Sequence, residues 1–333
     1  MNLPLMFFHE LKRSLPTHWF EDIGADVYQQ YVKLRLKLLK AEVKRTSGSH
    51  PIEYMEVNSG KSQRLVFLPG FSDNKENFFD PAQFLVSDFD LLVPDLPGFG
   101  KSFKDPDAFY NMENYGRWIC EFLLEVGWTD FHLVGNSLGG ATAIEVALMM
   151  PKHVKTLTII DPAGIVLPEV TNSLYHEFVD GRNIFSIHTH EQFKYFLQRV
   201  FYKPPVIPPF VWEHIYLEFS KNAQWNRKVL NDLLEHINDM SDPRMEEVAL
   251  NRRLKQIKVP TLIVWGDEDS LFPPEMAQFV KEQIPNSKLY ILQDRGHSPQ
   301  VEAPLQFSQL LKKFIRDQER QQHLADMYAF AHD

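Results

Sequence analysis

The chain holds a single cysteine, Cys120, among 333 residues. No intrachain disulfide can form, and a disulfide framework is excluded. Cys120 falls in a predicted amphipathic helix over 112–126, where it reads as a small buried apolar residue and not as a nucleophile. Long apolar runs are also missing. None reaches the roughly 18–20 residues that cross a bilayer. Residues 1–10 lack a basic start and a long apolar stretch, which argues against a standard secretory signal. The expected location is cytoplasmic, with membrane association left open. Positive charge is in deficit: 35 Lys and Arg face 44 Asp and Glu, for a net charge of -9. That balance argues against nucleic acid as a partner. There is no internal repeat and no low-complexity tract. There is no cysteine/histidine cluster and no G-x-G-x-x-G after a strand, so no metal and no nucleotide cofactor is indicated.

What is present is an ordinary globular composition, 44% hydrophobic and 24% charged. At this length the chain can bury a full core and carry an insertion. Short continuous apolar runs alternate with helical stretches. Strands are expected at 42–46, 52–57, 64–68, 89–93, 131–134, 154–160, 261–265 and 288–292. Helices are expected at 24–39, 111–126, 138–149, 274–283 and 303–320. This alternation predicts a mostly parallel sheet covered on both faces. Residues 32–38 also alternate as a strand would, but Leu, Lys and Arg favour helix. The segment is basic and leucine-rich. It reads first as a helix packed on its own core, and second as a surface helix that touches anionic membrane.

The alternation breaks between 165 and 248. This stretch is rich in aromatics, among them Phe185, Phe193, Phe196, Tyr216, Phe219 and Trp225, and holds Lys203-Pro204-Pro205-Val206-Ile207-Pro208-Pro209. It predicts a helical lid over the carboxyl edge of the sheet. Most of its aromatics are expected to form the lid's own core, and a minority to line an apolar pocket. The organisation is thus a helical extension over 1–40, a core over 41–164 and 249–333, and the insertion over 165–248.

The most informative segment is Gly135-Asn136-Ser137-Leu138-Gly139, set between an apolar run and a helix-forming run. Strand, G-x-S-x-G and helix in that order make a nucleophile elbow, which exposes a serine at a strained turn. A serine hydroxyl needs a base to take its proton and a carboxylate to orient that base. In chain order the sequence offers Asp267-Glu268-Asp269 at one strand end and His297 after another. Asp267 and Glu268 read as turn residues. Asp161, at the end of the 154–160 strand, is the alternative acid. Asp95 is expected to brace its own turn. His132, His188 and His190 fit core or surface roles. Gly100-Lys101-Ser102 suggests a phosphate loop, but that pattern needs glycine where Asp95 stands.

Four motifs in this order resemble the α/β-hydrolase fold over nearly the whole chain. Leu68-Pro69-Gly70-Phe71 is similar to the His-Gly-x oxyanion loop, with Pro69 where histidine is usual. Pro94-Asp95-Leu96-Pro97-Gly98-Phe99-Gly100-Lys101-Ser102 resembles the D-x-P-G-x-G-x-S turn. Trp265-Gly266-Asp267-Glu268-Asp269 resembles W-G-x-x-D, whose last residue is the catalytic acid. Gly296-His297-Ser298-Pro299-Gln300-Val301-Glu302-Ala303-Pro304 resembles G-H-x-x-x-x-E-x-P, which carries the catalytic histidine. The resemblance implies Ser137 as nucleophile, Asp269 as acid, His297 as base, and the N–H groups of Phe71 and Leu138 as oxyanion hole.

A serine at the elbow favours acyl transfer over the aspartate-based dehalogenase and epoxide hydrolase branches. The insertion, opened by Asp161-Pro162-Ala163-Gly164, resembles the monoacylglycerol-lipase-like and bacterial esterase/lipase branch. The implied substrate is a small-molecule carboxylic ester with an apolar acyl chain. Carbon–carbon hydrolysis of ring-cleavage products is the runner-up, since those enzymes share the Gly-Asn-Ser-x-Gly-Gly elbow but usually have a glycine-rich oxyanion loop. A cofactor-free perhydrolase is a third reading, and a non-catalytic hydrolase-fold binding protein is the reading from a different class.

Overall fold

A computed structural model describes residues 17–235 and 249–330. Residues 1–16, which include the segment read for a signal, residues 236–248 of the insertion and residues 331–333 lie outside the described residues. The strands are β1 (Glu42–Arg45), β2 (Glu53–Val57), β3 (Gln63–Leu68), β4 (Phe89–Pro94), β5 (Phe131–Asn136), β6 (Val154–Ile160), β7 (Thr261–Gly266) and β8 (Ser287–Leu292). They form one sheet in the order β1-β2-β4-β3-β5-β6-β7-β8. β2 is antiparallel to β1 and to β4, and every other pairing is parallel. The chain thus has the α/β-hydrolase fold expected from its motifs.

The helices are α1 (Thr17–Leu39), α2 (Phe79–Ala82), α3 (Met112–Glu125), α4 (Leu138–Met149), α5 (Leu174–Val179), α6 (His190–Val200), α7 (Pro209–Lys221), α8 (Ala223–Leu233), α9 (Glu275–Gln283), α10 (Pro299–Glu302) and α11 (Pro304–Phe330). The apolar strands alternate between two cores. Val66, Leu133, Ile159 and Ile263 face one side, where Trp118 and Ile119 of α3, Ile144 of α4 and Val280 of α9 cover them. Leu65, Val134, Ile160 and Leu262 face the other, under Leu39 of α1, Phe79 of α2 and Phe307, Leu311 and Phe314 of α11. Burying both faces is why these strands read as continuous apolar runs.

Element ends differ from the expected ones for local reasons. Thr46 and Ile52 fall outside the strands and close the turn between β1 and β2. The Thr46 amide donates to the Ile52 carbonyl (3.0 Å), and the Ile52 amide to Thr46 Oγ1 (2.8 Å). α1 starts at Thr17, not 24, and α11 runs to Phe330, ten residues past the expected end. Residues 321–328 of α11 are all exposed, so no buried stripe marks their period.

The order of strands positions the site. From β3 the chain moves outward to β4, then returns to place β5 on the other side of β3. Loops leaving β3 and β5 therefore diverge and leave a crevice at their carboxyl ends, a topological switch point. The segments 69–71 and 135–139 occupy that crevice.

Candidate active site

Ser137 stands at the junction of β5 and α4 with φ 55° and ψ −120°. A non-glycine residue at positive φ is strained, and the surroundings must hold it there. They do: the Ser137 amide donates to the Ile160 carbonyl (2.9 Å), and its own carbonyl accepts from the amides of Ala141 and Ala163 (3.0 Å each). The flanking glycines are a packing requirement. A Cβ on Gly135 would lie 2.1 Å from the Gly139 carbonyl oxygen, and one on Gly139 would lie 2.1 Å from that of Leu68. The elbow is folded against the end of β3 so tightly that no side chain fits at either position.

The loop after β3 runs beside the serine. A Cβ on Gly70 would sit 3.3 Å from Ser137 Cβ, which places the 70–71 backbone against the elbow. Leu138 opens α4, whose first-turn amides have no intrahelical acceptor. Phe71 is half-buried, its ring 4.8 Å from Phe99 and 4.5 Å from Phe185 of the insertion. Ser72 also has positive φ, 58°, and its Oγ accepts from the buried Asn226 of α8 (2.9 Å).

His297 and Asp269 are brought together from the loops after β8 and β7. Nδ1 of His297 lies 2.8 Å from Oδ2 of Asp269, and both residues are buried. Oδ1 of Asp269 accepts from the amides of Leu271 (2.8 Å) and Phe272 (3.0 Å). The imidazole packs edge-on to Phe272, with ring centres 5.2 Å apart. Its Nε2 is buried and has no protein partner. Asn136 Nδ2 donates to the carbonyls of both Ile160 and His297 (3.1 Å each). The residue next to Ser137 therefore fastens the histidine loop to the elbow. Asp161, the alternative acid, is fully buried nearby with φ 42°. It does not take the imidazole; its Oδ1 accepts from the Gly266 amide at 3.0 Å.

Asp161, Asp269 and His297 offer ligand atoms within 4.8 Å of one another, as a metal site would. The Nδ1 to Oδ2 separation is a hydrogen bond, so the imidazole and the carboxylate already use each other. The expected bystanders have identifiable tasks. Asp95 accepts from the Lys101 amide (2.8 Å), the Lys75 amide (2.8 Å) and Lys75 Nζ (2.9 Å), so it braces its turn and the loop after β3. Asp267 accepts from the Arg295 amide (3.2 Å). His132 is buried between Thr156 (2.9 Å) and Gln63 (3.0 Å), and burial pushes its pKa down to about 3. His190 is exposed and pairs with Glu213. Burial raises the Cys120 thiol to about 12, which leaves it inert.

Two tethers were not foreseen as functional. Glu302, the glutamate of the histidine motif, gathers three amides. Oε1 accepts from Gly296 (2.8 Å) and Tyr202 (3.4 Å), and Oε2 from Lys203 (2.8 Å). The His297 amide donates to the Val200 carbonyl (2.8 Å). The segment after α6 is thereby strapped to the histidine loop. Asn226 is the second tether, from α8 to Ser72. The motif spacing marked Glu302 as a fixed position, but no local signal marked Asn226. Two surface hollows, of about 330 Å³ beside Asn251 and Lys255 and about 190 Å³ beside Phe109 and Leu233, include none of Ser137, Asp269 and His297.

This geometry has known relatives. The chain is 33% identical over 275 residues to Lipase 1 of Psychrobacter immobilis, covering 82% of this chain and 83% of that one. It is 26% identical over 264 residues to monoacylglycerol lipase abhd6-B of Xenopus laevis, covering 77% and 76%. In three dimensions it is similar to a membrane phospholipase A described as a bacterial virulence factor. The TM-score is 0.82 at 24% identity, covering 95% of this chain and 98% of that one. The profile of the alpha/beta hydrolase family matches residues 65–310, and the chain belongs to that family.

Proposed function

We propose that this protein hydrolyses carboxylic esters with apolar acyl chains, through Ser137, His297 and Asp269. One observation carries the reading: a buried imidazole is fixed on one side by Asp269 at 2.8 Å, with its other nitrogen unpartnered, in a loop fastened to the strained serine elbow. Such a preset base is what a serine nucleophile requires. Ser137 Oγ attacks the ester carbonyl as His297 Nε2 takes its proton. The carbonyl electron pair moves to oxygen, and the Phe71 and Leu138 amides receive that oxyanion. The intermediate collapses, the carbon–oxygen ester bond breaks, and the departing alkoxide takes the proton from Nε2. Water then attacks the acyl-serine, giving its proton to Nε2. Collapse releases the acid and returns the proton to Ser137. The named lipase relatives support an ester as substrate. The assembled His297–Asp269 pair weighs against a purely binding role.

The insertion over 165–248 acts as the lid. Its aromatics Phe193, Phe196 and Phe219 pack on one another, with centres 4.9–6.4 Å apart, and Phe185 reaches Phe71. The acyl chain would lie along Phe185 and Phe71, beside the oxyanion loop. Ser137→Ala should abolish p-nitrophenyl ester hydrolysis while leaving the melting temperature unchanged, and a fluorophosphonate probe should label only the wild type. Wild-type turnover by the alanine variant would refute the assignment.

Peripheral membrane contact belongs to α1. Ile23, Val27, Tyr31, Leu34 and Leu38 are all exposed, at spacings of three and four. They make one apolar stripe, with the exposed Lys33, Lys37 and Lys40 alongside. The adjoining face packs on α7, where Tyr28 meets His214 at 5.3 Å. No helix among the described residues is long and apolar enough to cross a membrane. Leu34→Lys with Leu38→Lys should sharply lower co-sedimentation with phosphatidylserine vesicles and leave hydrolysis of a water-soluble ester unchanged. Equal sedimentation would remove α1 as the contact.

A further inference from the structure

Asp161 is left without a task by the mechanism above, yet it is fully buried beside the residues that carry it. It follows β6 with φ 42°, a conformation in which a non-glycine residue is strained. The Asp161 amide donates to the Val264 carbonyl (3.1 Å), and its Oδ1 accepts from the Gly266 amide (3.0 Å), so the side chain is aimed beneath the end of β7. Its Oδ2 is buried with no donor. The ligand atoms of Asp161, Asp269 and His297 lie within 4.8 Å of one another.

Two carboxyls this close, both out of water, cannot both be ionised. The hydrogen bonds decide which one is. Asp269 receives three donors, from the Leu271 and Phe272 amides and from His297. Asp161 receives one. The negative charge therefore rests on Asp269, and a proton rests on the orphan oxygen of Asp161. We propose that Asp161 is a positioning residue. Its protonated carboxyl donates a hydrogen bond to the Asp269 carboxylate and holds it in register with His297. This rests on the His297–Asp269 pair acting as proposed above.

The surroundings agree. Burial, then the charge of Asp269, push the Asp161 carboxyl well above the usual carboxylate range, while the Gly266 amide works the other way. Two other titratable groups lie around it: His297, from the loop after β8, whose ligand nitrogen is within 4.8 Å, and Glu302 of α10, whose charge also favours the protonated form.

The test uses three variants and one spectrum. Asp161→Asn keeps an oxygen for the Gly266 amide, supplies an N–H to Asp269 and tolerates positive φ. Its kcat should stay within about threefold of wild type. Asp161→Ala removes the donor and should lower kcat by about 10- to 100-fold with KM within about twofold, the weight of one hydrogen bond to a charged group. Asp269→Asn should lose about 10⁴-fold. The infrared difference spectrum of wild type minus Asp161→Asn at pH 7 should show the C=O stretch of a protonated carboxyl that shifts in D₂O. Absence of that band overturns the proposal. So does an Asp161→Asn variant as damaged as Asp269→Asn, which would make Asp161 an ionised acid. Wild-type kcat in Asp161→Ala overturns it as well. If Asp161→Ala does not fold, the asparagine variant and the spectrum still decide. The spectrum needs no turnover, so it judges Asp161 separately from the Ser137→Ala test of the reaction.

Discussion

Replacing Glu302 by alanine should weaken the fold and the reaction together, because one carboxylate joins the histidine loop to the segment after α6. Its bond to the Gly296 amide is 2.8 Å long and partly buried. A hydrogen bond to a charged acceptor in such a place contributes about 1.5–3 kcal/mol. The bonds to Lys203 (2.8 Å) and Tyr202 (3.4 Å) are exposed, and together they add about 1 kcal/mol or less after solvent competition. Glu302→Ala should therefore cost roughly 2–4 kcal/mol, read as a lower urea midpoint at unchanged slope. Gly296 immediately precedes His297, so the freed loop should misplace the imidazole. An ångström of misplacement costs up to about 10²-fold in rate, and kcat should fall about tenfold or more with a smaller change in KM. Glu302→Gln keeps one acceptor and turns an amide N–H toward the other donor, so it should lie between. Gly296→Ala reaches the same junction from the other side. Its Cβ would lie 2.6 Å from the Tyr202 amide nitrogen and 2.7 Å from the Val200 carbonyl oxygen, forcing the strap away. A Glu302→Ala protein with wild-type midpoint and wild-type kcat would refute the coupling.

Gly135→Ala should prevent the elbow from forming, because the new Cβ has only 2.1 Å to the Gly139 carbonyl oxygen. The cost should reach about 3 kcal/mol or more, and a folded, fully active variant by thermal melting and ester assay would contradict it. His132 should make the fold acid-sensitive. Burial lowers its pKa from 6.5 to about 3 in the folded protein, so below pH 6.5 the unfolded chain binds a proton that the folded one refuses. The full contribution is present above pH 6.5 and is lost as pH falls toward 3, at up to about 1.4 kcal/mol per unit. His132→Gln should flatten that part of the urea-midpoint profile measured against pH, and an unchanged slope would show that His132 does not cause it.

Much of this fold was legible in sequence because its rules are local. β6 and α4 begin and end where the residue pattern put them, since each is a continuous apolar or helix-forming run with clear stops. β5 is longer than expected. It runs through Gly135 and Asn136, residues that look like turn from composition but are paired to β6 as far as Ile160. The far end of α11 was missed because its residues, from Gln321 to Tyr328, are all exposed, Leu324, Met327 and Tyr328 included, and bury no stripe.

The serine elbow was readable because a strand, two glycines and a helix determine its shape within a few residues. Asp161 and Asp269 were both readable as candidate acids, and the W-G-x-x-D resemblance put Asp269 first, but sequence did not show how the two carboxyls sit relative to the imidazole. Parallel strands β6 and β7 end side by side, so both carboxyls arrive under the same imidazole. The tertiary structure gives Nδ1 of His297 to Asp269 and leaves Asp161 beneath it. The same holds for the tethers. Asn136 meets His297 across 161 residues of chain, and Asn226 meets Ser72 across 154. Sequence alone determined the conformations that neighbouring residues impose on one another. Contacts between distant residues depend on where sheet order and the insertion carry each segment, and only the packed chain decides that.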